Sequence, residues 1–329
     1  MRIIGIVAAT ATAALIATSA SAETRWDFAS PYAALGFHVK NAEIFAAEIN
    51  RVTGGEVNIT VHGGASLYAL PEIKRATRTQ QIAIGELVMS TMENEDPIFG
   101  VDAIPFLAND FNSARILWEV SRDAVAERLA AQGLTLLYGV SWPGQGFFTK
   151  DPVESAADFA GKKLRTLNPS TALMAEALGA VPVRIESADL PQAMETGVVD
   201  AFSTSASTGA DSSAWDYIDY FYDINAYIPK NVTFINTDML NALSREHREA
   251  VIAAGAAAEA RGWLMMEYDL AVKQATLCAQ VECPDPLPAQ LVADLQELGA
   301  GIADAWIANA GPDGQAIIDR FNARMALEN

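Results

Sequence analysis

The chemistry this chain can offer is concentrated in a few side chains, and Arg165 is the most conspicuous of them. It stands in GKKLRTLNPSTALMAEALGA (161–180), directly after Leu164 at the end of a strand-like run and before a turn marked by Asn168-Pro169. A guanidinium presents a rigid fork of donors that matches a carboxylate with two parallel hydrogen bonds, so a strand-end arginine facing a cleft suits an organic anion. A surface or interlobe ion pair is the plainer use of the same residue, and this segment alone does not separate the two.

The constellations of a catalyst are weaker. No G-x-S-x-G elbow occurs; the nearest phrase, around Ser141 in GVSWP, lacks the second glycine and has no histidine close in sequence. His38 is the candidate base that the fold would have to bring to Ser141, but a helix-borne histidine is more commonly a packing residue. There is no H-E-x-x-H, and the glycines of GGASLYALPE are not followed by a lysine at phosphate-loop spacing. The phrase MENEDP gathers Glu93, Glu95 and Asp96, the composition of a paired-carboxylate site, yet with 41 acidic residues in 329 most carboxylates must simply be solvated. Cys278 and Cys283, the only cysteines, bracket the short loop CAQVEC and read as a disulfide at a helix end. The histidines, His38, His62 and His247, are not spaced as a metal-ligand set with them. The expectation is a binding protein rather than an enzyme, with no metal and no cofactor.

Compartment and charge narrow the ligand. Arg2, an apolar run from Ile3 to Ile16 and the small residues Ala20-Ser21-Ala22 form a signal-peptide pattern over residues 1–22, which predicts export to the periplasm with cleavage near Ala22. No later stretch is apolar for long enough to span a membrane. The formal net charge of −19 repels nucleic acid and anionic membrane surfaces. An organic anion must therefore be held by a few local donors and not by the overall field.

These residues need elements to position them, and the pattern is α/β. A strand at Trp26 to Ala29, a helix from Ala33 to Val52 stopped by Gly54-Gly55, and an alternating strand from Val57 to Val61 open the chain. A second helix from Leu70 to Thr79 leads to a buried strand from Ile82 to Ser90. A helix from Ser113 to Gln132 and the strand LTLLYGV follow, and then SWPGQGFFTKDPVES reads as a passage from one lobe to another. The rhythm repeats: a strand through Leu164-Arg165, a helix from Ser170 to Leu178, a strand from Val181 to Ile185, a helix from Ala188 to Thr196 and a strand from Ala201 to Thr204. From Ser244 to about Ala279 there is no proline, and a single helix of thirty or so residues with Ser244 as N-cap is expected.

The blocks GGEVNITVHGGASLYALPEIKRATRTQQIAIGEL, AIPFL, DFAGKKLRTLNPSTALMAEALGAVPVRIESADLPQAMETGVVDAF and NTDMLNALSREHREAV resemble the substrate-binding proteins of tripartite ATP-independent periplasmic (TRAP) transporters, the DctP-like family, over nearly the whole mature length. The resemblance implies a two-lobe periplasmic-binding-protein-like α/β fold with crossing connections and a long lobe-spanning helix. Lobe one is expected over residues 23–143 plus 232–270 and lobe two over 144–231 plus 271–329. It also implies that Arg165 clamps a ligand carboxylate, that the lobes close on the ligand, and that the complex docks on the small and large membrane subunits of the transporter. Asn168, Thr204, Asn231 and Glu93 carry over as polar contacts. Trp142, Phe147, Tyr32, Met92 and Trp215 are expected as apolar walls, with core packing the alternative for each. Sugar-acid-binding relatives place a second arginine where this chain has Gln145. A second buried anion would then lack a charged partner, which favours an aromatic or hydroxy/keto monocarboxylate over a sugar acid or dicarboxylate.

Overall fold

The computed structural model describes residues 23–186 and 189–328. The expected signal peptide lies outside the described residues.

The chain forms two five-stranded sheets, each the centre of a lobe. The first contains β1 (Thr24–Ala29), β2 (Val57–His62), β3 (Ile84–Val88), β4 (Leu134–Ser141) and β10 (Lys230–Asn236) in the order β2-β1-β3-β10-β4. The second contains β5 (Gln145–Thr149), β6 (Lys163–Thr166), β7 (Val181–Arg184), β8 (Ala201–Ser205) and β9 (Tyr220–Tyr222) in the order β7-β6-β8-β5-β9. Each sheet combines four mutually parallel strands with one inserted antiparallel strand. That strand is β10 in the first sheet, between β3 and β4, and β5 in the second, between β8 and β9. Both inserted strands are buried along their whole length. They are also the strands by which the chain enters the other lobe.

The two crossings run side by side. Trp142 N donates to Pro229 O at 2.8 Å, Gln145 N to Tyr227 O at 2.9 Å, and Ala226 N to Gln145 O at 2.9 Å. Gly144 is required here, because a β-carbon at that position would stand 1.6 Å from Asn225 Oδ1.

Helices α1 (Phe37–Val52), α2 (Leu70–Arg78) and α3 (Phe111–Ala130) pack on the first sheet, and α4 (Pro169–Ala177), α5 (Leu190–Glu195) and α6 (Ala206–Asp211) serve the second. The first helix starts four residues later than expected, at Phe37, because Pro31 to Gly36 form a turn instead. Helix α7 (Thr237–Asn241) leads into α8 (Arg245–Cys278), whose N-cap Ser244 accepts from His247 N. At 1.5 Å per residue its 34 residues run about 51 Å. It packs on α1 and β4 in the first lobe and on α6 in the second. Cys278 and Cys283 are disulfide-bonded at its end.

The last helical stretch, α9 (Ala289–Glu328), breaks at Gly311, where φ is 63° before Pro312. Its early residues Leu291 and Leu295 are buried in the second lobe's core. Trp306, Ile317, Ile318 and Phe321 instead join the first lobe's core, and α9 packs along α3. The C-terminal segment expected in lobe two is therefore shared between the lobes.

Candidate functional site

Between the lobes lies a cleft of about 310 Å³. The turn Pro31–Ala33, Gly64 and Val88 line it from the first lobe. Arg165, Asn168, Thr171 and the strand end Ser203–Ser205 line it from the second, and the crossings contribute Trp142, Gln145, Tyr227 and Pro229. Six expected ligand contacts thus meet in one place: Tyr32, Trp142, Gln145, Arg165, Asn168 and Thr204.

Arg165 reaches the cleft from β6, a strand paired on both sides by β7 and β8. Only 3% of it is exposed. Its Nε donates to Ile185 O at 2.8 Å and its Nη1 lies 3.5 Å from Ser203 O, contacts that fix the plane of the guanidinium. Burial pushes its pKa down, and Tyr227 and Glu186 oppose that shift. Burial raises the Tyr227 hydroxyl to about 12, with the Arg165 cation pulling the other way. Among the described lining residues Arg165 is the sole cationic side chain. The one carboxylate, Asp211, is ion-paired to Lys273 Nζ.

The opposite wall is aromatic. Trp142 packs against Tyr32 with centroids 5.0 Å apart, Phe37 at 5.5 Å and His38 at 4.3 Å. Its indole N–H donates to Asn231 Oδ1 at 2.8 Å. Asn231 therefore orients the wall from behind and is not on the lining. His38 sits with Nδ1 3.3 Å from Glu86 Oε1, both side chains 1% exposed, while Ser141 Oγ donates to Trp142 O. The structure thus gives Ser141 and His38 different partners.

Gln145 presents its amide at the base of the cleft, with Nε2 donating to Pro143 O at 2.8 Å. Asn168 is the N-cap of α4: its Oδ1 accepts from Thr171 N at 2.8 Å, while Nδ2 donates to Ser90 Oγ in the other lobe at 2.8 Å.

Four more expected contacts lie elsewhere. Phe147 packs on Phe159 at 4.8 Å in the core, because β5 is an inner strand covered on both faces. Met92 is buried in the first lobe's core. Trp215 packs against the second lobe's core beside α6. Glu93 is engaged by Ser170 across the lobes. Its neighbours in MENEDP also have separate partners, Lys74 for Glu95 and Arg128 for Asp96, so the three carboxylates form no pair.

Tyr227, Ser203, Thr171 and Pro31 line the cleft without having been singled out from sequence. The polar run STS at the end of β8 was the available signal for Ser203. Tyr227 had none beyond its place before Pro229. Among the described residues no cluster of histidine, cysteine and carboxylate side chains is arranged to hold a metal, and no helix is long and apolar enough to cross a membrane.

Two α/β lobes joined by paired crossing strands, with a mostly apolar cleft and one buried cation between them, define a solute-binding protein. Residues 28–291 match the family described as bacterial extracellular solute-binding protein, family 7 (DctP). The chain belongs to this family, the solute receptors of TRAP transporters, which is not an enzyme family. It is 40% identical to DctP7 of Bordetella pertussis, an extracytoplasmic solute receptor binding pyroglutamic acid. That comparison covers 91% of this chain and 99% of the other, with a TM-score of 0.89. A marine metagenome TRAP solute-binding protein specific for pyroglutamate is 38% identical over 92% of this chain and 99% of its own, also with a TM-score of 0.89. The C4-dicarboxylate-binding periplasmic protein DctP of Rhodobacter capsulatus is 27% identical over 49% of each chain.

Proposed function

We propose that this protein captures a small monocarboxylate in the periplasm, with pyroglutamate the first candidate, and presents it to the membrane subunits of a TRAP transporter. The observation that carries this reading is Arg165, buried in the wall of a cleft that Trp142, Tyr32 and Tyr227 also line and of which it is the one described cation. The ligand carboxylate pairs with the guanidinium, and Ser203, Thr204 and Asn168 supply neutral polar groups around it. The aromatic faces cover the remainder. The cleft is at the small end of the range for ligand sites, about 300 to 1,000 Å³.

Charge count favours one carboxylate over two. A second would meet Gln145 where sugar-acid-binding relatives have an arginine, and a lining whose other charge is the Asp211 carboxylate. Burying it unpaired would cost several kcal/mol. Pyroglutamate satisfies the same clamp as the aromatic, hydroxy and keto acids expected from sequence. It stands first because receptors 38 to 40% identical bind it.

Titration calorimetry with pyroglutamate, phenylpyruvate, lactate and succinate tests the reading. Pyroglutamate should bind most tightly, and Arg165→Ala should weaken it by roughly 2 to 5 kcal/mol, the range for truncating one partner of a buried charge pair. That is about thirty-fold to several thousand-fold in affinity. Preference for succinate, or unchanged affinity in a folded Arg165→Ala protein, would overturn it.

A further inference from the structure

Two hydrogen-bonded contacts join the lobes, each through one residue expected from sequence to meet the ligand, Glu93 in the first and Asn168 in the second. The Ser170 hydroxyl lies 2.9 Å from both carboxylate oxygens of Glu93, and Ser170 N donates to Oε2 at 3.3 Å. Beside it, Asn168 Nδ2 donates to Ser90 Oγ at 2.8 Å, both residues buried. Ser90 and Glu93 come from the single turn that follows β3 in the first lobe. Asn168 and Ser170 start α4 in the second. A carboxylate at a helix N-terminus is favoured by the exposed N–H groups and the helix dipole. The first lobe makes room for it at Gly100, where a β-carbon would stand 2.6 Å from Glu93 Cδ.

None of Ser90, Glu93 and Ser170 lines the cleft; Asn168 does, and so joins the two regions. Moving the lobes apart would return all four polar groups to water. Their geometry thus exists only when the lobes are together, and a ligand that needs both lobes binds in proportion to the population in which they are together.

We propose that Glu93–Ser170 and Ser90–Asn168 form an interlobe clasp that sets ligand affinity, Glu93, Ser170 and Ser90 doing so without touching the ligand. Glu93 is the positioning residue at its centre. Burial raises its carboxyl pKa and the Ser170 contacts oppose the rise, so the hydroxyl is what makes an ionised Glu93 tolerable in the closed form.

The proposal rests on the carboxylate capture proposed above, with the lobes closing on the ligand as the family resemblance implies, and the test keeps the two apart. Pyroglutamate affinity is measured by calorimetry for wild type, Ser90→Ala, Ser170→Ala, Glu93→Gln and the Glu93→Gln/Ser170→Ala double variant. Ser170→Ala leaves a buried carboxylate short of a donor and should weaken binding about five- to a hundred-fold, mainly through faster release. Ser90→Ala should weaken it about three- to ten-fold. The double variant should bind more tightly than Ser170→Ala alone, because a neutral amide tolerates the missing hydroxyl better than a carboxylate does. A merely local packing role gives no such recovery. Wild-type affinity in Ser170→Ala and Ser90→Ala, or a double variant weaker than Ser170→Ala, overturns the clasp. Should wild type give no heat with pyroglutamate, the ligand assignment fails instead. Small-angle scattering of the ligand-free proteins then decides the clasp: a larger radius of gyration in Ser170→Ala supports it, and equal radii overturn it.

Discussion

Asp102 and Lys230 show how much the first lobe commits at the point where the chain returns to it. Both side chains are 1% exposed; Lys230 N donates to Asp102 Oδ2 at 2.7 Å and the charged atoms stand 3.9 Å apart. Burial raises Asp102 from 3.8 to about 6 despite the nearby ammonium. The same burial lowers Lys230, with Asp102 opposing. A carboxyl whose pKa is higher folded than unfolded stabilises the fold below its unfolded value and loses that contribution as pH rises through its folded value. Between about pH 4 and 7 the stability difference should therefore shift in favour of Asp102→Asn over wild type. Urea unfolding of both proteins across that range checks it, and a gap that stays constant or moves the other way contradicts it. The residue scale also shows where sequence is mute. A strand-end arginine in an acidic chain drew attention to Arg165, but the segment alone fitted an ion pair as well; its assignment to a carboxylate, and the attention to Gln145, came from the family resemblance. Phe147 and Met92 had the right composition for a ligand wall, but Phe147 lies on an inner strand covered on both faces and Met92 is buried in the turn after β3, placements that depend on tertiary packing. Glu93 and Asn168 were expected as ligand contacts and both meet the facing lobe, because sequence does not say whether a polar group meets ligand or protein across the cleft.

Among the elements, α8 was the easiest to read, because an N-capping serine and more than thirty residues without proline admit one interpretation. The second arm of α9 was the hardest, since Gly311-Pro312 has the form of a loop and is a break within a helix. The strand pattern was legible as far as α/β alternation. That β5 and β10 insert antiparallel into opposite sheets was not, because it depends on pairings more than fifty residues apart in sequence. The Cys278–Cys283 link belongs to this scale. It closes a short loop from which Glu282 extends the second sheet, with Phe221 N donating to Glu282 O at 2.9 Å and Glu282 N to Asp219 O at 2.8 Å. The bond thus ties the end of α8 to the edge of lobe two. Loop-closure entropy for so small a ring is worth about 2 kcal/mol. Replacing both cysteines by serine should lower the melting temperature by several degrees and make the protein indifferent to reductant; an unchanged melting temperature would mean that the backbone bonds alone hold this edge.

For the whole molecule, the net charge of −19 and the proposed anionic ligand are in tension. At low ionic strength the field of the surface opposes the approach of a carboxylate, and salt screens it over about 10 Å at 0.1 M. Association measured by stopped flow should accelerate as salt rises from low to physiological strength, the reverse of a steered encounter. Slower association would show that the cleft's local field dominates. The connections between lobes also have a mechanical meaning. Two crossing strands, paired by Trp142–Pro229 and Gln145–Tyr227, join the lobes, and α8 packs on both. On the proposed closure about these crossings, α8 would act as a leaf spring whose flexing opposes closure or assists release according to its unstressed shape. Its stiffness, set by an unbroken run of helix, would then be a term in the affinity of a site that, among the described residues, none of its own side chains lines.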